Sequence, residues 1–492
     1  ENIDMVETSF VRLLDDMTFD VLDSFQLDEF ETGCSIICCS FQDDSDSNQE
    51  GGNSGVNAGT SGAGSSSSSS STRMGLGADQ RSGADSNKNK PEKEFIVVGT
   101  AYAIEGEQEP HKGRILVFQV TDKEVGADDD AAEHAAGGKD NSAGGLGKPG
   151  GEQFNKLRLE LVAEKQTRGA VYCLNAFNGK LLAGINSKVK LFSFVDAGPD
   201  QSELVAKCSH NEHILVLYIQ SRGDFIVVGD LMKSVSLLVF RALDDSIEEI
   251  ARDYNANWMT SVGILDDDTY IGAETNMNLF TVQKNSEAQT EEARHMLRVA
   301  GEYHLGEYIN KFQHGSLVMQ DSQQESKRDE TGLVESTLEN SDAVSESLQA
   351  ILSSAPKPQM LFGTVNGVIG VIASLTEGQY KLLKRLEQAL SEVIQGVGDL
   401  SHAAWRSFSN ERKVSQCRGF VDGDLIEGFL DLEQSDAQRV VDRVNGKVAM
   451  KDEEDIAAIL QVNSGAPPSD SLQLNLDVDT LTRFVEDLSR LH

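Results

Sequence analysis

Positive charge is what this sequence most conspicuously lacks. Lys and Arg number 43 against 80 Asp and Glu among 492 residues, a formal net charge of −37 at pH 7. A field of that sign opposes phosphate backbones and anionic membrane surfaces, which disfavours direct, unassisted binding to DNA, RNA or a bilayer. Apolar runs are short: none is long enough to span a membrane, and no signal peptide is visible. Cysteine is scarce. Cys34, Cys38, Cys39, Cys173, Cys208 and Cys417 show no paired zinc-ligand spacing, and several fall inside apolar strand patterns. That fits reduced thiols in a cytosolic or nuclear protein better than a disulfide framework. No nucleophile elbow, HExxH or Ser/His/Asp constellation can be argued from spacing. The first residue is Glu1, not Met, so a fragment of a longer chain is expected.

What is present is a repeat. GDFIVVGDLMKSVSLLVF contains two short apolar runs, rich in β-branched residues, around a turn signal, the pattern of a β-hairpin. The same grammar recurs as FIVVGTA…GRILVFQV, KLLAGINSKVKLFSF, TYIGAETNMNLFTVQ and MLFGTVNGVIGVIAS, with marker glycines at Gly99, Gly184, Gly229, Gly272 and Gly363. A hairpin cannot bury its apolar face alone. A period of about 40–45 residues with several strands per unit therefore predicts a WD40-like β-propeller. The Gly-His and Trp-Asp signatures of ordinary WD40 repeats are missing. Only about five or six blades can be read.

Three tracts interrupt the repeat. Residues 42–93, 124–153 and 320–358 are rich in Ser, Gly, Asn or acids and cannot bury enough apolar area to offset their ordering entropy, so they are expected to be disordered loops. A short helix is expected over 288–299. After 373 the period changes. Leu382, Leu383, Leu386, Leu390, Val393, Ile394 and Val397 recur at three- and four-residue spacing, an amphipathic helix with Thr376 as its start cap and an end near 396–398. Further helices are expected near 424–431, 435–444, 453–461 and 481–491. The expected organisation is thus a propeller over 1–373 and a small helical domain over 374–492.

Most candidate chemistry has a plainer reading. Cys208, His210 and His213 in CSHNEH lack a second ligand pair and read as an interstrand loop. GTVNGVIG lacks the Lys-Ser/Thr of a phosphate loop and reads as turn and close-packing glycines. The acidic triplets at 128–130 and 266–268 lack calcium-loop spacing and read as solvated turns. No metal or other cofactor is expected. Tyr218 and Tyr308 alternate within strand patterns and read as core. In ARDYNANWM, Arg252 and Trp258 are types enriched at binding hot spots, and the residues alone leave open whether Trp258 fills a blade core.

GDFIVVGDLMKSVSLLVF, EEIARDYNANWM, ILDDDTYIGAETNMNLF, FQHGSLVM, LFGTVNGVIG and WRSFSNERK…GFVDGDLIEGFLDL resemble the family of the large subunit of the UV-damaged-DNA-binding complex, the adaptor of cullin-4 ubiquitin ligases. The cleavage and polyadenylation factor large subunit and a splicing factor 3b subunit share its architecture. The resemblance covers nearly the whole chain outside the three tracts. It implies most of a third propeller and the C-terminal helical domain, with the beginning of that propeller missing.

The resemblance further implies a non-enzymatic scaffold in DNA repair and ubiquitin conjugation, nuclear and cytoplasmic. The partners implied are substrate-receptor proteins and the damaged-DNA-binding small subunit, with cullin-4 reached only through a propeller this chain lacks and DNA only indirectly. Receptors of the family enter a cleft whose wall corresponds here to Ala101, Ala103, Ala170, Tyr172, Leu215, Leu217, Tyr218, Arg252, Trp258, Tyr308, Asn310 and Val365. Lys233 stands where animal relatives carry Arg. Such a mix of small apolar residues, aromatics and one Arg suits a helix-in-groove receptor. The resemblance favours a binding role for Arg252 and Trp258. Two alternatives remain at this stage: a pre-mRNA-processing scaffold of the same fold, and a propeller hydrolase with a central-channel site.

Overall fold

The computed structural model describes residues 8–42, 93–122, 157–195, 202–318, 352, 357–446 and 476–491. The three interrupting tracts fall outside these residues except at their edges, as does the helix expected over 453–461.

The chain opens with a hairpin, β1 (Phe10–Leu14) and β2 (Val21–Gln26), and then builds five antiparallel sheets. The first is β3 (Glu31–Ser40), β4 (Glu94–Tyr102), β5 (Gly113–Asp122) and β6 (Leu157–Thr167). The second is β7 (Val171–Phe177), β8 (Lys180–Ile185), β9 (Lys188–Val195) and β10 (Glu203–Asn211). The third is β11 (Val216–Arg222), β12 (Phe225–Asp230), β13 (Val235–Arg241) and β14 (Ser246–Arg252). The fourth is β15 (Met259–Ile264), β16 (Thr269–Glu274), β17 (Asn278–Lys284) and β18 (Leu297–His304). The fifth has three strands, β19 (Ile309–His314), β20 (Lys357–Thr364) and β21 (Ile369–Ser374).

Each sheet is a sequential meander, and the first strands pack in succession: β3 on β7, β7 on β11, β11 on β15, β15 on β19. This is a mainly β, five-bladed propeller arrangement followed by helices. The core lies between blades rather than within any one. Val97, Ile115 and Val117 of the first blade meet Leu181, Ala183 and Phe192 of the second, where the rings of Phe41, Phe95 and Phe194 stand 4.7–5.5 Å apart. Val227, Leu237 and Ala251 of the third meet Val262, Tyr270 and Phe280 of the fourth. Each fully buried aliphatic chain contributes about 1.5–3 kcal/mol, so a blade is stable only beside its neighbours.

The marker glycines mark close approach. A Cβ on Gly184 would stand 2.5 Å from Cys173 Sγ and 2.7 Å from Val216 Cγ1 of the next blade, whereas one on Gly363 in the last blade meets nothing within 4 Å. In the fourth blade the equivalent position is Ala273 rather than Gly272. Ala273 pairs with Ser261 just past a bulge, as Gly184 pairs with Cys173 and Gly229 with Tyr218.

Two further expectations are corrected. The helix expected over 288–299 is a single turn, α1 (Glu291–Arg294), capped by the Thr290 side chain. Leu297, expected within that helix, opens β18 and is 2% exposed, because ladder pairing with Lys284 and core burial outweigh local propensity. Cys208 and His210, expected on a loop, lie within β10 opposite Leu191 and Val189.

Helix α2 (Glu377–Ser391) starts at Thr376, whose side chain and that of Gln379 form a reciprocal capping box. It ends earlier than expected. α3 (His402–Trp405), α4 (Gly423–Glu427), α5 (Gln434–Val444) and α6 (Val478–Ser489) follow. Leu382, Leu386 and Leu390 pack on Ile426, Phe429, Val440, Val444, Leu481 and Phe484 as a separate core. Between α3 and α4 a small hairpin, β22 (Phe408–Ser409) and β23 (Val414–Ser415), buries Phe408 completely in the core of the fourth blade.

A polar seam fixes this arrangement. Arg406 donates to Asp422 Oδ2 at 2.6 Å and to the carbonyls of His304 and Leu305 at 3.3 and 3.0 Å. His402 meets the same Asp422 oxygen at 2.8 Å. Burial alone would raise the Asp422 carboxyl, but hydrogen bonds and charge from His402 and Arg406 bring it down to about 2. Beside it, buried Glu302 receives Lys413, Ser415 and Arg418.

Candidate partner-binding face

The first strand of every blade carries the same irregularity near its start. Pairing with the second strand skips one residue: Cys34, Tyr172, Leu217, Thr260 and Asn310 in blade order. A bulge of this kind re-aims a side chain while pairing resumes on either side.

A second regularity closes the same end of each blade. In the second to fifth blades the residue preceding the first strand accepts a backbone N–H from the residue after the second strand. The pairs are Asn186 to Ala170, Leu231 to Leu215, Thr275 to Trp258 and Val365 to Tyr308, at 3.0–3.1 Å. In the first blade two further residue pairs form beyond the bulge before the closing bond, from Ala103 N to Phe30 O at 2.8 Å. That taller tip is held by buried Glu31, which receives Arg114 and Thr100 Oγ1 at 2.5–2.6 Å. Phe30 beside it sits in the left-handed region, φ 61°, where bulky residues are strained.

The folded chain thus brings most of the residues expected at the site to one end of the blades. Ala101 and Ala103 end the first blade, Ala170 and Tyr172 the second, Leu215, Leu217 and Tyr218 the third, Trp258 the fourth, and Tyr308, Asn310 and Val365 the fifth. Ala170 is fully buried and Ala101 nearly so, which makes them floor rather than contact surface. Tyr172, Leu215, Leu217, Tyr218 and Tyr308 are half-buried, and Ala103 and Asn310 are exposed. Trp258 is 42% exposed and Val365 64%, so neither is a core residue. Tyr218, read as core, is half-buried against Gly229, and burial pushes its hydroxyl up to about 12.

Buried polar groups shape this end of the third blade. Asp230, 1% exposed, accepts Met232 and Lys233 N–H on Oδ1, both at 3.0 Å, and Ile214 N–H on Oδ2 at 2.8 Å. It therefore fixes the turn that presents exposed Lys233. Asp253 accepts Ser234 Oγ at 2.7 Å and the Asn255 amide, and Asn257 reaches Ser234 from the other side. These bonds hold the loop from Arg252 to Trp258 in one shape.

Arg252 is not beside Trp258. It ends the outermost strand of its blade, with its guanidinium 4.4 Å from the Tyr254 ring centre and against His213 Nε2. A groove of about 890 Å³ opens there, lined by Glu249, Arg252, Tyr254, His295 and Met296. Phe30 (57% exposed), Ile104 (49%) and Met277 (43%) stand at the same ends of the blades and were missed from the sequence. Met277 lies in the turn after Thr275, whose N–H closes onto Trp258.

Among the described residues, one group could hold a metal ion: Glu212, His213 and Glu249 place their ligand atoms within 4.8 Å of one another.

The family description "CPSF A subunit region" matches residues 8–431. The chain belongs to the CPSF A subunit family. Similar family members include DNA damage-binding protein 1a of Arabidopsis thaliana, 41% identical over 493 aligned residues. DNA damage-binding protein 1 of Solanum lycopersicum is 42% identical over 492, and that of Oryza sativa subsp. japonica 41% over 493. Each alignment covers all of this chain and 32% of the relative, so the chain spans about a third of the length of these relatives.

Proposed function

We propose that this chain is one wall of a scaffold in DNA-damage recognition and ubiquitin conjugation, presenting substrate receptors to a cullin-4 ligase. The observation that carries the reading is a single blade-end face lined by Trp258, Tyr308, Val365 and the bulge residues Tyr172, Leu217 and Asn310, with small Ala101 and Ala170 as its floor. Rigid aromatic anchors over a small-residue floor suit the apolar stripe of a partner helix. The name DNA damage-binding protein 1, carried by relatives similar along this whole chain, supports the DNA-damage part of this reading.

Contact with damaged DNA falls to a partner subunit, because a chain of charge −37 repels the duplex. Cullin contact falls to a part of the scaffold outside this chain. Residence in nucleus and cytoplasm accompanies this role.

The test uses the full-length scaffold and a purified receptor. Trp258→Ala should weaken receptor binding by about 2 kcal/mol or more. Its melting temperature should hold within about 2 °C, because a side chain 42% exposed leaves no core cavity. Normal receptor binding by a variant with a collapsed melting temperature would return Trp258 to the core and remove the face from the argument. Affinity purification that recovers polyadenylation or splicing subunits in place of receptors would overturn the assignment itself.

A further inference from the structure

The seam between the second and third blades holds chemistry that the partner-binding face does not use. Glu212 and His213 lie in the link from β10 to β11, and Glu249 projects from β14, so two neighbouring blades contribute. The Glu212 side chain is wholly shielded from solvent. Its Oε1 closes no hydrogen bond of ordinary geometry, its Oε2 stands 3.4 Å from His213 Nδ1, and the Ser236 hydroxyl lies beside the carboxyl. A buried carboxyl oxygen without a donor costs more than an ordinary lost hydrogen bond, and a bound cation can satisfy it in place of a proton.

We propose that Glu212, His213 and Glu249 form a binding site for a divalent metal ion of the zinc type. Two carboxylates and one imidazole match the oxygen and nitrogen ligands such ions take, with a water completing four-coordination. Ligand atoms within 4.8 Å of one another need to draw together by about an ångström to reach bonds of about 2.0–2.2 Å. The His213 and Glu249 side chains, 28% and 30% exposed, have room to make that movement.

Arg252 is the competitor. Its Nη1 rests on His213 Nε2 and its Nε lies 3.9 Å from Glu249 Oε1, while that Nε is itself buried without an acceptor. A metal on Nε2 would take the lone pair that the guanidinium now uses. A metal on Nδ1 would put the imidazole proton on Nε2, facing the guanidinium N–H groups. Either way, metal and Arg252 exclude each other. Loading the site frees the guanidinium, which keeps its stacking contact with Tyr254. The site depends on no receptor and stands apart from the assignment of the partner-binding face.

The experiment strips the chain with a chelator and titrates it with Zn²⁺ by calorimetry, with Co²⁺ and its visible absorption as a second probe. One ion should bind per chain in the micromolar range. His213→Ala and Glu249→Gln, both partly exposed and structurally mild, should each weaken binding at least about tenfold. Arg252→Ala should tighten it, an effect that loss of a structural contact would not produce. Affinity unchanged in His213→Ala and Glu249→Gln would place the ion among other surface acids and overturn the proposal. So would the absence of binding in both the native chain and Arg252→Ala.

Discussion

Asp422→Asn isolates the seam between the propeller and the helices. The substitution keeps the shape of the side chain and removes its charge. Arg406, 7% exposed, then keeps only two carbonyl acceptors and a weakened partner. The magnitude follows from linkage. A carboxyl held at about 2 in the folded chain, against 3.8 for the free group, represents about 2–3 kcal/mol at neutral pH. The sign is that of a depressed acid: the stabilisation is complete above about pH 5 and is lost as pH falls toward 2. About half of it should remain at pH 3.

Trp405 provides the readout, because its ring meets His304 edge-on at 5.2 Å and lies 5.7 Å from the Arg406 guanidinium. The chain has two tryptophans, so a Trp258→Phe background leaves Trp405 as sole reporter. Urea titrations of its emission at pH 7 and pH 3 should give a stability gap between the chain with Asp422 intact and the Asp422→Asn variant that narrows by about half. A gap below about 1 kcal/mol at pH 7, or one of equal size at both pH values, would refute the account of the seam.

Two other outcomes are expected. Gly184→Ala should destabilise by about 1–3 kcal/mol through contact with Cys173 and Val216, while Gly363→Ala should change stability by less than about 0.5 kcal/mol, as paired thermal melts will read. In a thiol-reagent titration of the native chain at pH 8, exposed Cys34 and Cys38 should react before buried Cys39 and Cys173. Burial pushes both of the latter up to about 12, and early modification of Cys173 would contradict its packing.

The blade hairpins were legible because an apolar run, a small residue and a turn report a strand buried on both faces. Phase was less legible. Gly272 and Ala273 are adjacent small residues, and only the register shows that Ala273 holds the equivalent position. The helix expected over 288–299 failed because its Glu, Ala and Arg residues favour a helix locally, whereas Leu297 and Val299 alternate at strand spacing and pair with β17. Among the expected site residues, Trp258 and Arg252 stood out as costly to expose, but that Arg252 ends the outer strand of the third blade while Trp258 precedes the first strand of the fourth is a property of the sheets. Phe30 and Ile104 have no chemistry that marks them in a sequence. Glu249 could not be joined to His213 from spacing, because the two meet across a blade junction.

The five bulges separate two demands that a protein surface usually makes of the same residue. On either side of each skipped position the ladder continues, yet the skipped residue itself owes nothing to the register. The five are cysteine, tyrosine, leucine, threonine and asparagine, five chemistries on one backbone shape. Such positions can drift toward new partners without eroding the blades that carry them. Buried Thr260 is held by its surroundings, so change of this kind would collect at Cys34, Tyr172, Leu217 and Asn310, while the strands around them stay the same.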